Sequence, residues 1–566
     1  MCRFSCGLLL FVLLVPTLLR AETPTSESFN GLVTEFLDGY WKANPAGAAT
    51  SAGVHAYDDQ MEDFSPAATE REVARLEKFL GRFEALDAKA LTREQQVDRA
   101  ILSDAIRYML LELRELKPFE RNPQFYVSFL GDAVLGPIKR NYAPADTRFR
   151  AVAARLDVVG RVLEQAKHNL SNPPEVYTRK AIELIPGTAE FFEKDVPSFA
   201  AEQKVSDGVR AEVEAAGKRA ADALREFEKF CRQDLLLRSK GNFILGEELY
   251  RKKFRYYLGT DLKPEQVLDA AEKALRETQA EMQRLARQID PQHPLPEVLA
   301  NLSKDHPKRQ EFLQAFRSSV DEIKKFIASK GFVALPSPDR LEIQPAPPFY
   351  AIQGAFCDPP GPYEPDLPSF YYVSLLDKFT DAQAEDLLRD DNFHAIPIVT
   401  IHEAYPGHYV QLEVMNRTPS IVRKVFCNGP FVEGWAHYTG QIVFEEDFGD
   451  AAMRLFQLKM ATRAQLNAIL DIKLHMGKIT PAEAVEMLIK EGFQERTTAE
   501  KKVERASLTS GQLSTYFLGK YEILRLRDDY RRAQGNRFRL REYHDRLLAL
   551  GAPPVQYARQ LLLSSQ

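Results

Sequence analysis

Apolar residues recur at three-to-four spacing between charged positions over 67–86, 149–169, 205–236, 263–288 and 310–330. That period is the mark of helices with one buried and one solvated face. Charge-rich runs such as 218–229 read as exposed helix faces. Pro291, Pro294 and Pro296 mark a break between helices. Over 334–368 the pattern lapses into prolines and aromatics, including Pro347-Pro348-Phe349-Tyr350. This stretch suits either strands walling a site or an irregular connector. No internal repeat interrupts the series. The pattern predicts a mostly α protein, a large helical body with minor strand content.

Two further segments carry apolar runs beside candidate polar residues. The run Ile396-Pro397-Ile398-Val399-Thr400-Ile401 leads directly into His402-Glu403-Ala404-Tyr405-Pro406-Gly407-His408. Downstream, Asn428-Gly429-Pro430 reads as a helix start, with a capping residue followed by proline in the first turn. In the helix that follows, Val432, Trp435, Ala436, Ile442 and Val443 form a broad apolar face. Glu433 falls among these core-type residues, and a carboxylate there needs a partner.

The polar residues in these two segments suggest a chemistry. Two neutral histidines and one carboxylate, His402, His408 and Glu433, make the three-ligand set of a catalytic zinc, with the fourth position left for water. Glu403 stands beside the first ligand and is expected to be the general base. In the familiar H-E-x-x-H helix the histidines lie about 40° apart around the axis. Six residues of unbroken helix would separate His402 from His408 by about 120°, too far for one ion. Pro406-Gly407 offers the repair, since proline deletes a helix hydrogen bond and glycine widens the backbone choices. A two-residue bulge inside the helix is the expected form of that repair. His394 and His437 read as structural or supporting groups rather than direct ligands.

Composition narrows the class. The 566 residues suffice for a large core, and 45% hydrophobic with 27% charged residues is ordinary for a folded soluble chain. A net charge of -5 gives no reason to expect nucleic acid as a partner. Residues 1–21 read as a signal peptide, with Arg3, a short apolar core over 7–14 and an imperfect small-residue cleavage site at Leu19-Arg20-Ala21. That core is too short for a comfortable membrane span. Cys6 precedes it, which argues against a lipid-anchored cysteine. Cleavage would leave Cys231, Cys357 and Cys427, an odd set that allows one bridge and is read as buried free thiols. The expected location is secreted or periplasmic, with no stable membrane insertion once the leader is removed.

The pattern H-E-A-x-P-G-H followed by E-G-W-A resembles the DUF885 family, proteins related to gluzincin-type zinc metallopeptidases. Pro45 to Gly53 (PAGAATSAG) is similar to the family's early P-x-x-A-T-x-x-G region, with one residue more after the proline. Gly511 to Lys520 (GQLSTYFLGK) resembles its G-Q-x-x-x-Y-x-x-G segment, and 538–551 its ending. Two positions depart from the pattern: Tyr409 stands where the family usually has histidine, and His437 where it usually has an apolar residue. Both are expected to alter the edge of the pocket.

The resemblance covers most of 22–566, read as one helical metallopeptidase-like domain with an N-terminal helical part to about 290 and the metal-site part after it. It implies an exported zinc-dependent peptidase that hydrolyses peptide bonds with a metal-activated water. Tyr516, in the third similar segment, is the candidate oxyanion donor, or else a buried tyrosine with a satisfied hydroxyl. Arg505 is a candidate for gripping a substrate carboxylate, or else an exposed helix charge. The alternatives are a metal- or peptide-binding protein without activity and a hydrolase of another amide or ester. Retention of Glu403 favours an enzyme, because a binding module has no need of a base beside the ion.

Overall fold

The computed structural model describes residues 24–347, 354–492 and 494–563. Helices hold 73% of the chain and strands 3%, so the mostly α fold expected from the periodicity is the one that forms. The leader read at 1–21 and residues 348–353 lie outside the described residues.

Two long amphipathic helices, α1 (Ala145–Asn169) and α2 (Asp207–Phe230), pack along each other. They bury Phe149, Leu156, Val159, Val213, Leu224 and Phe227 in a core that ends at Leu235. Next come α3 (Glu247–Tyr257) and α4 (Pro264–Ile289). Helix α5 (Phe312–Lys330) closes on Gly331, whose φ of 68° is the left-handed conformation of a helix end.

The proline- and aromatic-rich interruption contains strands: β1 (Leu341–Pro345), β2 (Ala355–Asp358) and β3 (Ser369–Val373). Their order is β1-β3-β2, with β1 parallel and β2 antiparallel to the central β3. Tyr371 and Val373 of β3 are fully buried. The remaining helices are α6 (Ile396–Glu403), α7 (His408–Met415), α8 (Gly429–Glu445) and α9 (Ala451–His475). They are followed by α10 (Arg496–Leu508), α11 (Thr515–Gln534), α12 (Leu540–Ala549) and α13 (Val555–Leu563).

The cores join distant parts of the sequence. Helix α4 lies along α9, and Leu275 shares a core with Ile469, Leu474 and Leu518. Near the N-terminus, Phe36 and Leu102 pack in one cluster with Tyr557 and Leu561 of α13. The early segment at 45–53 builds a polar knot. The Thr50 hydroxyl accepts from the fully buried Arg155 at 2.6 Å and donates to Asp58 at 3.0 Å. Cys231, Cys357 and Cys427 are all free thiols. Only Cys231 is buried as the sequence suggested: Cys357 is half-buried on an edge strand and Cys427 is exposed beside the cap of α8. Among the described residues no helix is long and apolar enough to cross a membrane.

The packing that positions the site is the crossing of α8 and α11. Asn428 caps α8 by accepting from the Phe431 amide at 3.0 Å, as its place before Gly429-Pro430 led us to expect. Six residues on, Gly434 meets Gly519 of α11 with backbone against backbone. A Cβ on Gly519 would overlap the Pro430 carbonyl oxygen and approach the Gly434 Cα to 2.8 Å. Helix axes can come this close only where both side chains are missing. A buried relay holds the other flank of α8. The neutral His544 donates from Nδ1 to the Phe332 carbonyl at 2.7 Å, and its Nε2 accepts from the Tyr438 hydroxyl at 2.7 Å.

Two outcomes follow from this packing. Gly519→Ala must force α8 and α11 apart, so it should cost about 3 kcal/mol or more, readable as a lowered denaturation midpoint. An unchanged midpoint would contradict the crossing. Burial pushes the His544 imidazole down to about 4, below the 6.5 or so of an unfolded chain. The unfolded state therefore takes up the proton first, and stability present above about pH 6.5 is lost as pH falls toward 4. At 1.36 kcal/mol per unit this amounts to at most about 3 kcal/mol. His544→Gln, which can still donate and accept, should flatten that part of the stability–pH curve. Parallel curves for parent and variant would refute the assignment.

Candidate metal centre

His402 and Glu403 are the last two residues of α6, and His408 is the first of α7. The chain does not bulge within one helix, as the spacing suggested. The helix stops, four residues turn, and a second helix starts. Ala404 leaves helical geometry at φ −114°, ψ −86°, and the Tyr405–Pro406 bond is cis. Gly407 passes directly against the end of α6, where a Cβ would overlap the carbonyl oxygens of Ile401 and His402. Glycine is therefore a steric requirement of the turn. The carbonyl of Pro406 is met by Trp435, whose indole N–H donates to it at 2.8 Å. The E-G-W motif thus carries three tasks in adjacent residues: Glu433 faces the histidines, Gly434 makes the helix crossing, and Trp435 fastens the turn.

The break brings the imidazoles together, with ring centroids 4.7 Å apart and planes at 80°. Oε2 of Glu433 lies 3.5 Å from His402 Nε2 and 3.5 Å from His408 Nε2. This oxygen is buried and makes no hydrogen bond among the described residues. Three donor atoms thus point at one another without bonding, as they would around a shared cation. The carboxylate of Glu403 is also close, since its ligand atom and those of His402 and His408 lie within 4.8 Å of one another. Two carboxylates therefore compete for the third ligand position, and geometry separates them. Glu433 is equidistant from both imidazoles. Glu403 Oε1 stands 3.9 Å from His402 Nε2, while its Oε2 accepts the Cys357 amide N–H of strand β2 at 3.1 Å. The edge of the small sheet holds Glu403 at the rim, and Tyr371 of β3 reaches Thr400 of α6 at 3.3 Å.

The electrostatics fit a cation-binding cluster. Burial works to raise the Glu433 carboxyl, but His402 and His408 outweigh it and hold the group well below the ordinary carboxylate range. Burial works to lower His408, yet Glu433 and Glu403 draw its pKa above the usual imidazole value. Nδ1 of both histidines is buried and meets no acceptor among the described residues. The outer hydrogen bond that commonly orients a zinc-binding imidazole is thus not supplied by a protein group.

Tyr516 and Arg505, singled out separately, meet. The Tyr516 hydroxyl accepts from Gln512 Nε2 at 2.9 Å and from Arg505 Nη2 at 3.3 Å. With both oxygen lone pairs taken, its own proton is free to be donated. The ring stands edge-on to His437 with centroids 5.6 Å apart, and His437 in turn stands 4.8 Å from His402. His437 is therefore a neighbour of both His402 and Tyr516. Burial, then the nearby His402, pushes its imidazole well below the usual range, so it is neutral.

His394 lies outside the cluster, stacked on Phe456 at 5.9 Å with its Nε2 3.8 Å from Asp305. Tyr409 does not form the pocket edge expected of it. Its hydroxyl points away, donating to Asp339 at 2.8 Å and accepting the Arg340 amide at 2.7 Å. Sequence reasoning missed the hold of β2 on Glu403, because a backbone N–H on an edge strand leaves no residue signature. It also missed Lys520 and Gln465, which line a cavity behind His437.

Comparison with known proteins bears on the family and the fold. No curated protein matches the sequence. The fold is shared with a solved protein from Shewanella oneidensis, provisionally described as a lipoprotein of unknown function. It is 29% identical, with a TM-score of 0.81, over 95% of this chain and 100% of that one. A second solved protein, from Colwellia psychrerythraea and also provisionally described as a lipoprotein, is 17% identical. Its TM-score is 0.81 over 95% of this chain and 99% of that one, which shows likeness of fold. The profile of DUF885, described as bacterial protein of unknown function, matches residues 47–562, and the chain belongs to that family.

Proposed function

We propose that this chain is an exported zinc-dependent peptidase of gluzincin type. The observation that carries the reading is the convergence of His402 Nε2 and His408 Nε2 on the buried, unbonded Oε2 of Glu433, from two ends of a broken helix and a third helix. Two imidazole nitrogens and one carboxylate oxygen suit zinc in both donor type and number. An ion held there would supply Lewis acidity and make a water acidic enough to attack at neutral pH.

The chain's own groups take the remaining roles. Glu403 is tethered by one oxygen to β2, leaving the other to accept a proton from the attacking water and pass it to the leaving amine. Tyr516, with its hydroxyl oxygen already occupied by Gln512 and Arg505, donates its proton to the developing oxyanion. Arg505 orients Tyr516 and keeps guanidinium edges exposed for a substrate carboxylate. Export accords with the leader read at 1–21 and with the lipoprotein description of the solved relatives.

Glu403→Gln keeps the size and the hydrogen bond to Cys357 but removes the base. Zinc content and fold should be retained, while peptide hydrolysis falls by about 10²–10⁴-fold. Tyr516→Phe should cost less, because it removes one oxyanion donor and leaves the ligands intact. Metal analysis of both variants beside turnover on the same peptide separates the roles. Parental turnover by Glu403→Gln rules the mechanism out, as does hydrolysis that survives complete removal of metal by a chelator.

A further inference from the structure

A cavity of about 610 Å³ lies behind His437, between α4, α8, α9 and α11. Its lining includes His437, the neighbour of His402, and on the α11 side Phe517, Tyr521 and Leu524. Two polar groups in its lining lack partners. Lys520, half-buried, makes no hydrogen bond or ion pair among the described residues, and burial holds its ammonium down to about 8. Gln465, only 6% exposed, donates from Nε2 to Thr278 at 2.8 Å. Its Oε1 is buried with no donor among the described residues. The cavity therefore has a cation without an ion-pair partner and an acceptor without a donor in its lining, with an apolar wall on α11 and a polar one on α4, where Asp269, Lys273 and Glu277 are exposed.

These two groups together narrow the ligand. A simple anion would satisfy Lys520 and leave Gln465 Oε1 bare. An organic cation would satisfy Gln465 and repel Lys520. The last residue of a peptide has a carboxylate and an amide N–H joined through one Cα, and an apolar side chain would meet Phe517 and Leu524. Lys520 also lies one helical turn from Tyr516, about 6 Å along α11. An extended peptide covers about 3.3–3.6 Å per residue, so a C-terminus held there would leave one or two residues beyond the scissile bond. We infer that this cavity is the leaving-group subsite, in which Lys520 receives the free C-terminal carboxylate and Gln465 the amide N–H of the terminal residue. The enzyme then trims one or two residues from C-termini that end in an apolar side chain. This inference rests on the peptidase reading above and adds specificity to it.

The test compares N-acetyl-Ala-Ala-Phe with its C-terminal amide on the zinc-loaded full chain, where the blocked N-terminus excludes removal from that end. The free acid should be favoured in kcat/KM by about 10- to 100-fold, the worth of a hydrogen bond to a charged group. Lys520→Met should bring the acid-to-amide ratio within about twofold of unity, and Lys520→Arg should keep most of it. Removing an unpaired, partly buried charge should not impair folding, which the denaturation midpoint checks. Equal turnover of acid and amide by the parent overturns the subsite while leaving the peptidase intact. So does a preference that survives Lys520→Met, or one that Arg505→Met abolishes instead. If neither peptide is cleaved, the peptidase reading fails and calorimetry decides the cavity. Binding of N-acetyl-phenylalanine but not its amide, lost in Lys520→Met, supports the subsite; no binding overturns it.

Discussion

Six residues separate His402 from His408, and both must face the same carboxylate. An α-helix cannot do this, because six positions carry a side chain about a third of the way round the axis. The structure meets the constraint by ending α6 and starting α7, and much of the surrounding packing serves that break. Gly407 lets the chain pass against the end of α6, and Trp435 satisfies the Pro406 carbonyl that the break exposes. Since Trp435 and Glu433 share α8, the residue that fastens the turn and the residue that faces the histidines are fixed by one rigid element. The Gly434–Gly519 contact then locks α8 to α11, which carries Tyr516 against His437, itself the neighbour of His402.

The same geometry creates an electrostatic problem. Glu433 is held mostly out of water between two imidazoles, yet its inward oxygen bonds to neither. Removing a carboxylate from water is costly unless a partner compensates. The two imidazoles at 3.5 Å compensate in part. A divalent cation between the three atoms would do so fully, and it would make these donors a ligand set. Glu403 is kept out of that set by the sheet: one of its oxygens is committed to the Cys357 amide. On the proposed reading, three strands divide two neighbouring carboxylates into a ligand and a base.

Much of this was legible in the sequence, for identifiable reasons. The helices over 264–289 and 312–330 follow from local periodicity, and the start of α8 from Asn428-Gly429-Pro430. His402, His408 and Glu433 could be grouped because their residue types are those zinc selects. What escaped depends on contacts distant in sequence. The form of the break is decided by Trp435 and by the crowding at Gly407, so a helix stop replaced the expected bulge. Tyr409 turns toward Asp339, a residue 70 positions earlier. Strand β2 acts through a backbone amide. Lys520 looks like an ordinary helix lysine until α4 and α9 enclose it.

X-ray absorption at the zinc edge of the purified, zinc-loaded protein addresses the central claim most directly. The account predicts one zinc per chain with only nitrogen and oxygen neighbours, two of them imidazoles, at about 2.0–2.2 Å. Glu433→Gln, which removes the ligand charge but nearly keeps its shape, should release the ion at a chelator concentration the parent withstands. Sulfur scattering at about 2.3 Å, a shell without imidazoles, or a protein that holds no zinc at all would contradict it.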